Sequence, residues 1–319
     1  MRSIAKLLIG VVAAFTATIA SAQQYPTKVI RLVVPLAPGG GADTLGRYMG
    51  RQLTESLGQP VVIENRAGGG GFVGGEFVSR APADGYTLLV AGSGQLVVTL
   101  THGKPDLQKD FTPIAGVMEY PSLLVVHPSL PVKTVADLIR LAKAQPGKIN
   151  YASAGTGSAG HLVMEMFRIT AGLDMVHVPY KGAGPALTEV MAGQVPILFS
   201  NPLGTISSVK AGRVRALAVS GPRRMTAMPD VPTVAESGLP GFGTTYFLGL
   251  VGPAGIPREI VTRLNTETVK IVQRRDVQEW LAQQGSEPAP GSPEDFAAKI
   301  RTETEKLAKV VRDAKIRLN

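Results

Sequence analysis

The 319-residue chain carries a formal charge of +9 and no cysteine. The missing cysteines exclude a disulfide framework, so stability must come from burial. The cations are dispersed or helical, as in Arg301, Lys306, Lys309, Arg312, Lys315 and Arg317 with Glu303 and Glu305 interleaved, a solvated helix face with no aromatic-lined basic stripe, which argues against nucleic acid as a partner.

At the start of the chain, Arg2 and Lys6 precede an apolar run from Leu7 to Ile19, and Ala20, Ser21 and Ala22 supply the small residues that a signal peptidase accepts. The run predicts an export signal over 1–22, cleaved after Ala22, and a soluble periplasmic protein, because no later segment is apolar for long enough to span a bilayer. What remains is long enough for two domains with a core in each.

Short runs rich in Val, Ile and Leu predict buried strands at 29–37, 61–64, 86–91, 123–127, 149–153, 175–179, 196–200 and 214–220. Between them the spacing predicts helices over 43–57, 135–144, 162–171, 186–192 and 206–211. This alternation predicts α/β layers with largely parallel sheets. Thr134 with Asp137 reads as a capping box, and Ser292 before Pro293 as a cap with proline at the first helical position. The segment 257–318 reads as helices only, broken by Pro288, Pro290 and Pro293, and is expected to pack back on the first domain. Glycine- and proline-bearing passages at 118–122 and 241–252 are the candidate crossings between domains.

One unit occurs twice: strand, small-residue loop, helix, as VVPLAPGGGADTLGR (33–47) and as INYASAGTGSAGHL (149–162). Each loop closes a strand and opens a helix, so unpaired N–H groups and the positive end of a helix dipole converge there. The second loop holds a literal G-x-G-x-x-G in Gly155, Gly157 and Gly160. A dinucleotide site also needs an acid at the end of the next strand. That strand, MVHVPYKG, ends in Pro179, Tyr180 and Lys181, and the nearby acid, Asp174, precedes it. The helix terminus survives as an anion site and the nucleotide reading does not.

No Walker loop and no G-x-S-x-G elbow is present, and Ser207 to Lys210 satisfies S-x-x-K without its usual companions. His102, His127, His161 and His177 show no metal spacing, and His161 and Glu165 can pair on one helix face. The sequence therefore predicts neither an enzyme nor a metal or cofactor. Asp43 reads either as a helix cap or as a brace for its loop, with its N–H left for a ligand. Ser93, Ser153, Thr156 and Ser158 can bond the local backbone or face a crevice, and Lys181 can point to solvent or to a cleft.

PLAPGGGAD, VVIENRAGGGGFVGG, PADGYTLL, VPYKGAGPALTEVMAGQV and MPDVPTVAESGLPGF, with the two loops in order, resemble the solute receptors of tripartite tricarboxylate transporters, the Bug receptor family. The resemblance implies a two-lobed periplasmic binding protein of the two-crossover class, each lobe a mixed, mostly parallel sheet flanked by helices. It implies lobes of 23–120 with 246–319, and of 121–245. Such a receptor captures a small carboxylate by hinge closure and passes it to membrane permease subunits or, alternatively, to a membrane sensor, acting as a monomer. Carried over, the cleft residues are Leu36, Gly40, Gly41, Ala42 and Asp43 in the first loop, and Ser153, Ala154, Thr156, Gly157 and Ser158 in the second, with Ser93, His161 and Asn201 beside them. Leu36 stands where an aromatic is frequent, Ala42 where Thr is common and Phe72 where Asn is usual, which implies a ligand less polar than citrate.

Overall fold

The computed structural model describes residues 25–313. The expected export signal over 1–22, and Lys315 and Arg317, lie outside the described residues. The first apolar runs form β1 (Ile30–Val34), β2 (Val61–Asn65) and β3 (Thr87–Gly92), alternating with α1 (Gly41–Leu57), α2 (Phe72–Ser79) and α3 (Ser93–His102). β1 pairs in parallel with both β2 and β3. On one face, Leu32 and Val34 join the cluster that holds Leu45, Met49 and Leu53 of α1; on the other, Val33 joins Leu96 and Val97 of α3. A strand buried on both sides explains why the run is apolar without alternation. Gly46 lets α1 approach, because a Cβ there would lie 2.8 Å from Val34 Cγ2.

The chain then runs along β4 (Phe111–Pro121) and, with Ser122 alone between them, enters β5 (Leu123–Val126) of a second sheet. Next come α4 (Val135–Ala144), β6 (Asn150–Ser153), α5 (Ala159–Ala171), β7 (Val176–Pro179), α6 (Ala183–Met191), β8 (Ile197–Ser200), α7 (Pro202–Lys210) and β9 (Arg215–Val219). The expected box at α4 is present, Thr134 Oγ1 accepting from the Asp137 N–H and the Asp137 carboxylate accepting from the Thr134 N–H, both at 3.1 Å. β10 (Thr245–Pro253) returns the chain to the first sheet, followed by α8 (Arg258–Gln273), α9 (Arg275–Gln283), β11 (Glu287–Pro288) and α10 (Pro293–Asp313).

The six-stranded sheet has the order β11-β4-β10-β3-β1-β2 and the five-stranded sheet β7-β6-β8-β5-β9. Each contains the same parallel unit, β2-β1-β3 and β7-β6-β8, with the strand that begins the unit in its middle. Loops leaving β1 and β6 therefore open at a switch point, the place where α/β sheets take ligands. Both sheets are mixed because the crossover strands pair antiparallel: β10 with β3 and β4, and β5 with β8 and β9. The passages 118–122 and 241–252, expected as crossings between domains, lie where the chain passes between the two sheets and are largely strand, and the expected all-helical tail contains β11. Their glycines and prolines read as breakers but serve packing. Phe296 of α10 lies in a groove made by Gly116 and Gly249, whose Cβ atoms would sit 3.4 Å from Cδ2 and 2.9 Å from Cε1 of its ring, and it meets Phe247 edge-on at 5.7 Å.

The two crossovers are tied at one side chain. Ser220 Oγ accepts from the Ser122 N–H at 2.8 Å and donates to the Thr244 carbonyl at 2.8 Å, while its main chain bonds both strands again. Ser220 is fully buried.

Phe296→Ala should leave a cavity in this groove and cost about 3–5 kcal/mol. Urea unfolding, together with faster proteolysis within α10, checks it; a loss below about 1 kcal/mol would mean that the helix docks by other contacts.

Candidate ligand-binding cleft

The first loop joins β1 to α1. Gly39 has φ 87°, a left-handed turn suited to glycine. The helix starts at Gly41 with Gly40 as its cap residue, so Asp43 sits in the first turn and is not the cap. Its carboxylate braces the loop instead: Oδ2 accepts from the Gly39 N–H and from Arg47 Nε, both at 3.0 Å, and Oδ1 accepts from Asn65 Nδ2 at 2.9 Å. Burial pushes this carboxyl up, but the Arg47, Gly39 and Asn65 bonds outweigh it and hold it below the ordinary 3.8. Helix geometry leaves the N–H groups of this first turn, Gly41 to Asp43, without intrahelical acceptors.

The second loop joins β6 to α5 and is held from beneath by two imidazoles. Ser153 Oγ accepts from the Gly155 N–H at 3.1 Å and lies 2.6 Å from His177 Nε2. His161 Nδ1 accepts from the Gly157 N–H at 3.2 Å, so its proton resides on Nε2. The two rings stack at 3.9 Å and 11°, with Tyr151 stacked on His177 at 5.0 Å. Below them Tyr151 donates to Glu165 at 2.7 Å, and Arg168 pairs with both oxygens of Glu165. Burial drives His161 down to about 4 and lowers His177 as well.

The three glycines of this loop have local explanations. Gly155 and Gly157 take φ of 125° and 76°. A Cβ on Gly155 would lie 3.1 Å from Gly70 N on the other lobe, and one on Gly160 would lie 2.5 Å from the Phe199 carbonyl. Asp174 is remote from the loop: its carbonyl accepts from the Gly147 N–H at 3.0 Å, where the chain enters β6.

The lobes meet through backbone. The Ala37 N–H donates to the Lys181 carbonyl at 3.0 Å, while the Lys181 side chain is exposed. A Cβ on Gly204 would lie 2.9 Å from Gly41 N, and one on Gly182 would lie 2.8 Å from Ala37 N. Between these seams is a cavity of about 70 Å³. The first turns or cap residues of five helices line it: Gly41, Ala42 and Asp43 of α1, Gly94 and Gln95 of α3, Ser158, Ala159 and Gly160 at α5, Ala183 of α6, and Asn201 at α7. Among the described residues no Lys, Arg or His lines it, and its remaining wall is largely apolar, with Leu36, Val90, Phe199 and Leu248 beside the hydroxyls of Tyr120, Ser122 and Ser200. Tyr120 stands at the back, its hydroxyl pushed up to about 12 by burial, with Asn201 pulling the other way.

Of the expected residues, Leu36, Gly40, Gly41, Ala42, Asp43, Ala154, Ser158 and Asn201 line the cavity. Ser93, Ser153, Thr156, Gly157 and His161 do not. Ser93 Oγ accepts from the Phe247 N–H at 3.2 Å, and Ser153, Gly157 and His161 are occupied in holding the second loop. Phe72 is also outside the wall, packed on His102 at 5.1 Å. Sequence reading missed Gly70, Gln95, Tyr120 and Ser122. The run of four glycines at 68–71 signalled the first of these, whereas Tyr120 and Ser122 lay in a passage read only as a crossing between domains.

Residues 45–316 match the family model described as tripartite tricarboxylate transporter family receptor. Protein BugT of Bordetella pertussis is 34% identical over 320 residues, covering 98% of each chain. Among solved structures, R. palustris Rpa4515 with adipate superposes with a TM-score of 0.88 at 36% identity, covering 92% of this chain and 99% of that one. MatC from Rhodopseudomonas palustris with bound malate gives 0.86 at 31% identity, covering 90% and 100%.

The imidazole pair gives a pH dependence with a defined sign. Unfolded histidine takes its proton near 6.5 while folded His161 resists to about 4, so the unfolded state binds more protons between those values. Stability should be intact above pH 6.5 and fall progressively towards pH 4, by up to about 3 kcal/mol for a shift of this size. Thermal melts of the protein and of His161→Asn, which keeps an acceptor near the Gly157 N–H, check it: the variant should lose much of that slope, and equal slopes would remove His161 as its source.

Proposed function

Because the chain belongs to the tripartite tricarboxylate transporter receptor family, we propose that it is an exported solute receptor that closes two lobes, 23–120 with 246–319 and 121–245, on a small dicarboxylate and presents the closed form to membrane permease subunits. The observation that carries this reading is the convergence of five helix starts on one small cavity that holds no cationic side chain among the described residues. Oriented N–H groups and neutral amides can receive carboxylate oxygens through charge-assisted bonds. A lysine or arginine there would have to be buried without a permanent partner whenever the ligand is absent, at a cost of several kcal/mol. The apolar wall of Leu36, Val90, Phe199 and Leu248 suits a short methylene chain between the acid groups. Adipate and malate, bound by the two structural relatives, fit that description and support it.

Closure follows from the same arrangement. α1 and α3 belong to one lobe and α5, α6 and α7 to the other, so a ligand with an acid at each end gains contacts in the closed state that the open state cannot supply. That differential affinity shifts the population towards closure. Gly41 then serves twice, as part of the seam and as part of the receptor.

Two measurements check the reading. Refolded protein freed of carried ligand, screened by thermal shift, should gain a few degrees with a short dicarboxylate at about 100 times Kd, equivalent to about 2.7 kcal/mol, and nothing with nucleotides. A shift with nucleotides alone would overturn it. Gly204→Ala should raise ligand-free stability slightly, since alanine is better than glycine in a helix by about 1 kcal/mol, yet weaken ligand binding at least tenfold because the new methyl meets Gly41 across the seam. Unchanged affinity would mean that binding does not require closure there.

A further inference from the structure

Two carboxamides line the cavity, Gln95 from the first lobe and Asn201 from the second. Each is fixed at its oxygen end. Gln95 Oε1 accepts from the Gly92 N–H at 3.0 Å, and Asn201 Oδ1 accepts from the Leu203 N–H at 2.9 Å. Only the oxygen of an amide can accept, so the N–H2 end is the donor end in both side chains. Gln95 is 6% exposed, and among the described residues its N–H2 has no acceptor. Asn201 turns its N–H2 towards the Tyr120 hydroxyl, which accepts from one of its two N–H groups and leaves the other for the cavity. The Gln95 Nε2 lies over Gly71, where a Cβ would be 2.6 Å away, and the Asn201 amide lies over Gly41, where a Cβ would be 2.7 Å from both Nδ2 and Oδ1. Each amide thus occupies room that a glycine leaves open.

Among the described residues, the same walls hold no charged acceptor that is left unengaged. Asp43 is the one carboxylate among the lining residues, and its oxygens are taken by Gly39, Arg47 and Asn65. The other side-chain oxygens are the neutral hydroxyls of Tyr120, Ser122, Ser158 and Ser200. An ammonium group held here would lose its water without gaining a counter-charge.

Resting on the receptor reading above, we propose that Gln95 and Asn201 determine specificity: each lobe contributes one orientation-locked N–H2 to carboxylate oxygens, so the site takes a dicarboxylate that bears no ammonium group. A ligand must accept at both ends to engage both amides, which makes the pair sensitive to the length of the acid as well as to its charge. An amino acid of the same length meets the donors but strands its ammonium group.

The experiment is calorimetry on the refolded protein with succinate, glutarate and adipate, and with aspartate and glutamate as length-matched amino acids, repeated on Gln95→Glu and Asn201→Asp. Each substitution keeps the shape and keeps an oxygen for the helix N–H, while replacing the donor with a charged acceptor. The bound dicarboxylate should lose about 100-fold or more in affinity in each variant, the range seen when a buried charge-assisted donor is inverted, with the ligand-free melting temperature shifted by no more than about 2 °C. The monoamide of the same acid, which can donate to the carboxylate introduced by Gln95→Glu, should bind that variant more tightly than the dicarboxylate does. In the unsubstituted protein the amino acid should bind at least tenfold more weakly than its dicarboxylate partner. Dicarboxylate binding that survives both substitutions within about threefold, or an amino acid that binds as tightly as the matching dicarboxylate, overturns the donor assignment and leaves the receptor reading standing. Absence of any dicarboxylate binding to the unsubstituted protein overturns both. If neither variant folds, the comparison of paired ligands on the unsubstituted protein decides alone.

Discussion

A helix start leaves N–H groups without partners, and the arrangement of this molecule turns on where five such starts are placed. A parallel unit that begins with its central strand delivers the following loop and helix to the switch point, and the chain builds that unit once in each sheet. Two further helix starts, at Ala183 and Asn201, and the one after Gly92 complete the ring. On the receptor reading, the partial charges of those termini would take the place of cationic side chains, and the loops that carry them are held by their own hydrogen bonds.

That choice assigns the side chains a different task. Asp43, Ser153, His161 and His177 are engaged with loop N–H groups and with each other, and the rest of the cavity wall is left to backbone, apolar side chains, neutral hydroxyls and the two amides Gln95 and Asn201. Close approach between the lobes then demands glycine. Gly41, Gly182, Gly184 and Gly204 lie where one main chain touches another, and only at a few positions, such as Gly155, does glycine answer a left-handed φ at the same seam. At such a position one glycine both shapes a turn and clears the path for the opposing lobe.

The inner strands β1 and β3 of the first sheet were legible because strands buried on two faces leave apolar runs, as at 29–37 and 86–91. The two main loops were legible as well, from glycine and small residues between a strand and a helix. The crossover strand β5 was legible at 123–127, but β4 and β10 were not. Pro113, Pro121, Gly249 and Gly252 carry the local signature of turns, and their strand conformation comes from pairing with partners far along the chain and from Phe296 pressing on Gly249. The helix at Ser93 was hidden for a related reason, since it follows β3 with no intervening turn residue. Within the site, hydroxyls near strand ends could be read as ligand donors or as local braces, and distance alone separates them: Ser93, Ser153 and Ser158 all accept from backbone N–H groups, and of the three Ser158 also lines the cavity.

The hydroxyl of Ser220 ties the two crossover strands to each other at the level of Ser122 and Thr244. Two unconnected strands would give the lobes several independent ways to move, including twist and sideways shear. Pinned together, the two crossings are constrained to turn as one joint rather than two. On the receptor reading proposed above, such a joint would tie the occupancy of the cleft to a single angle between the lobes.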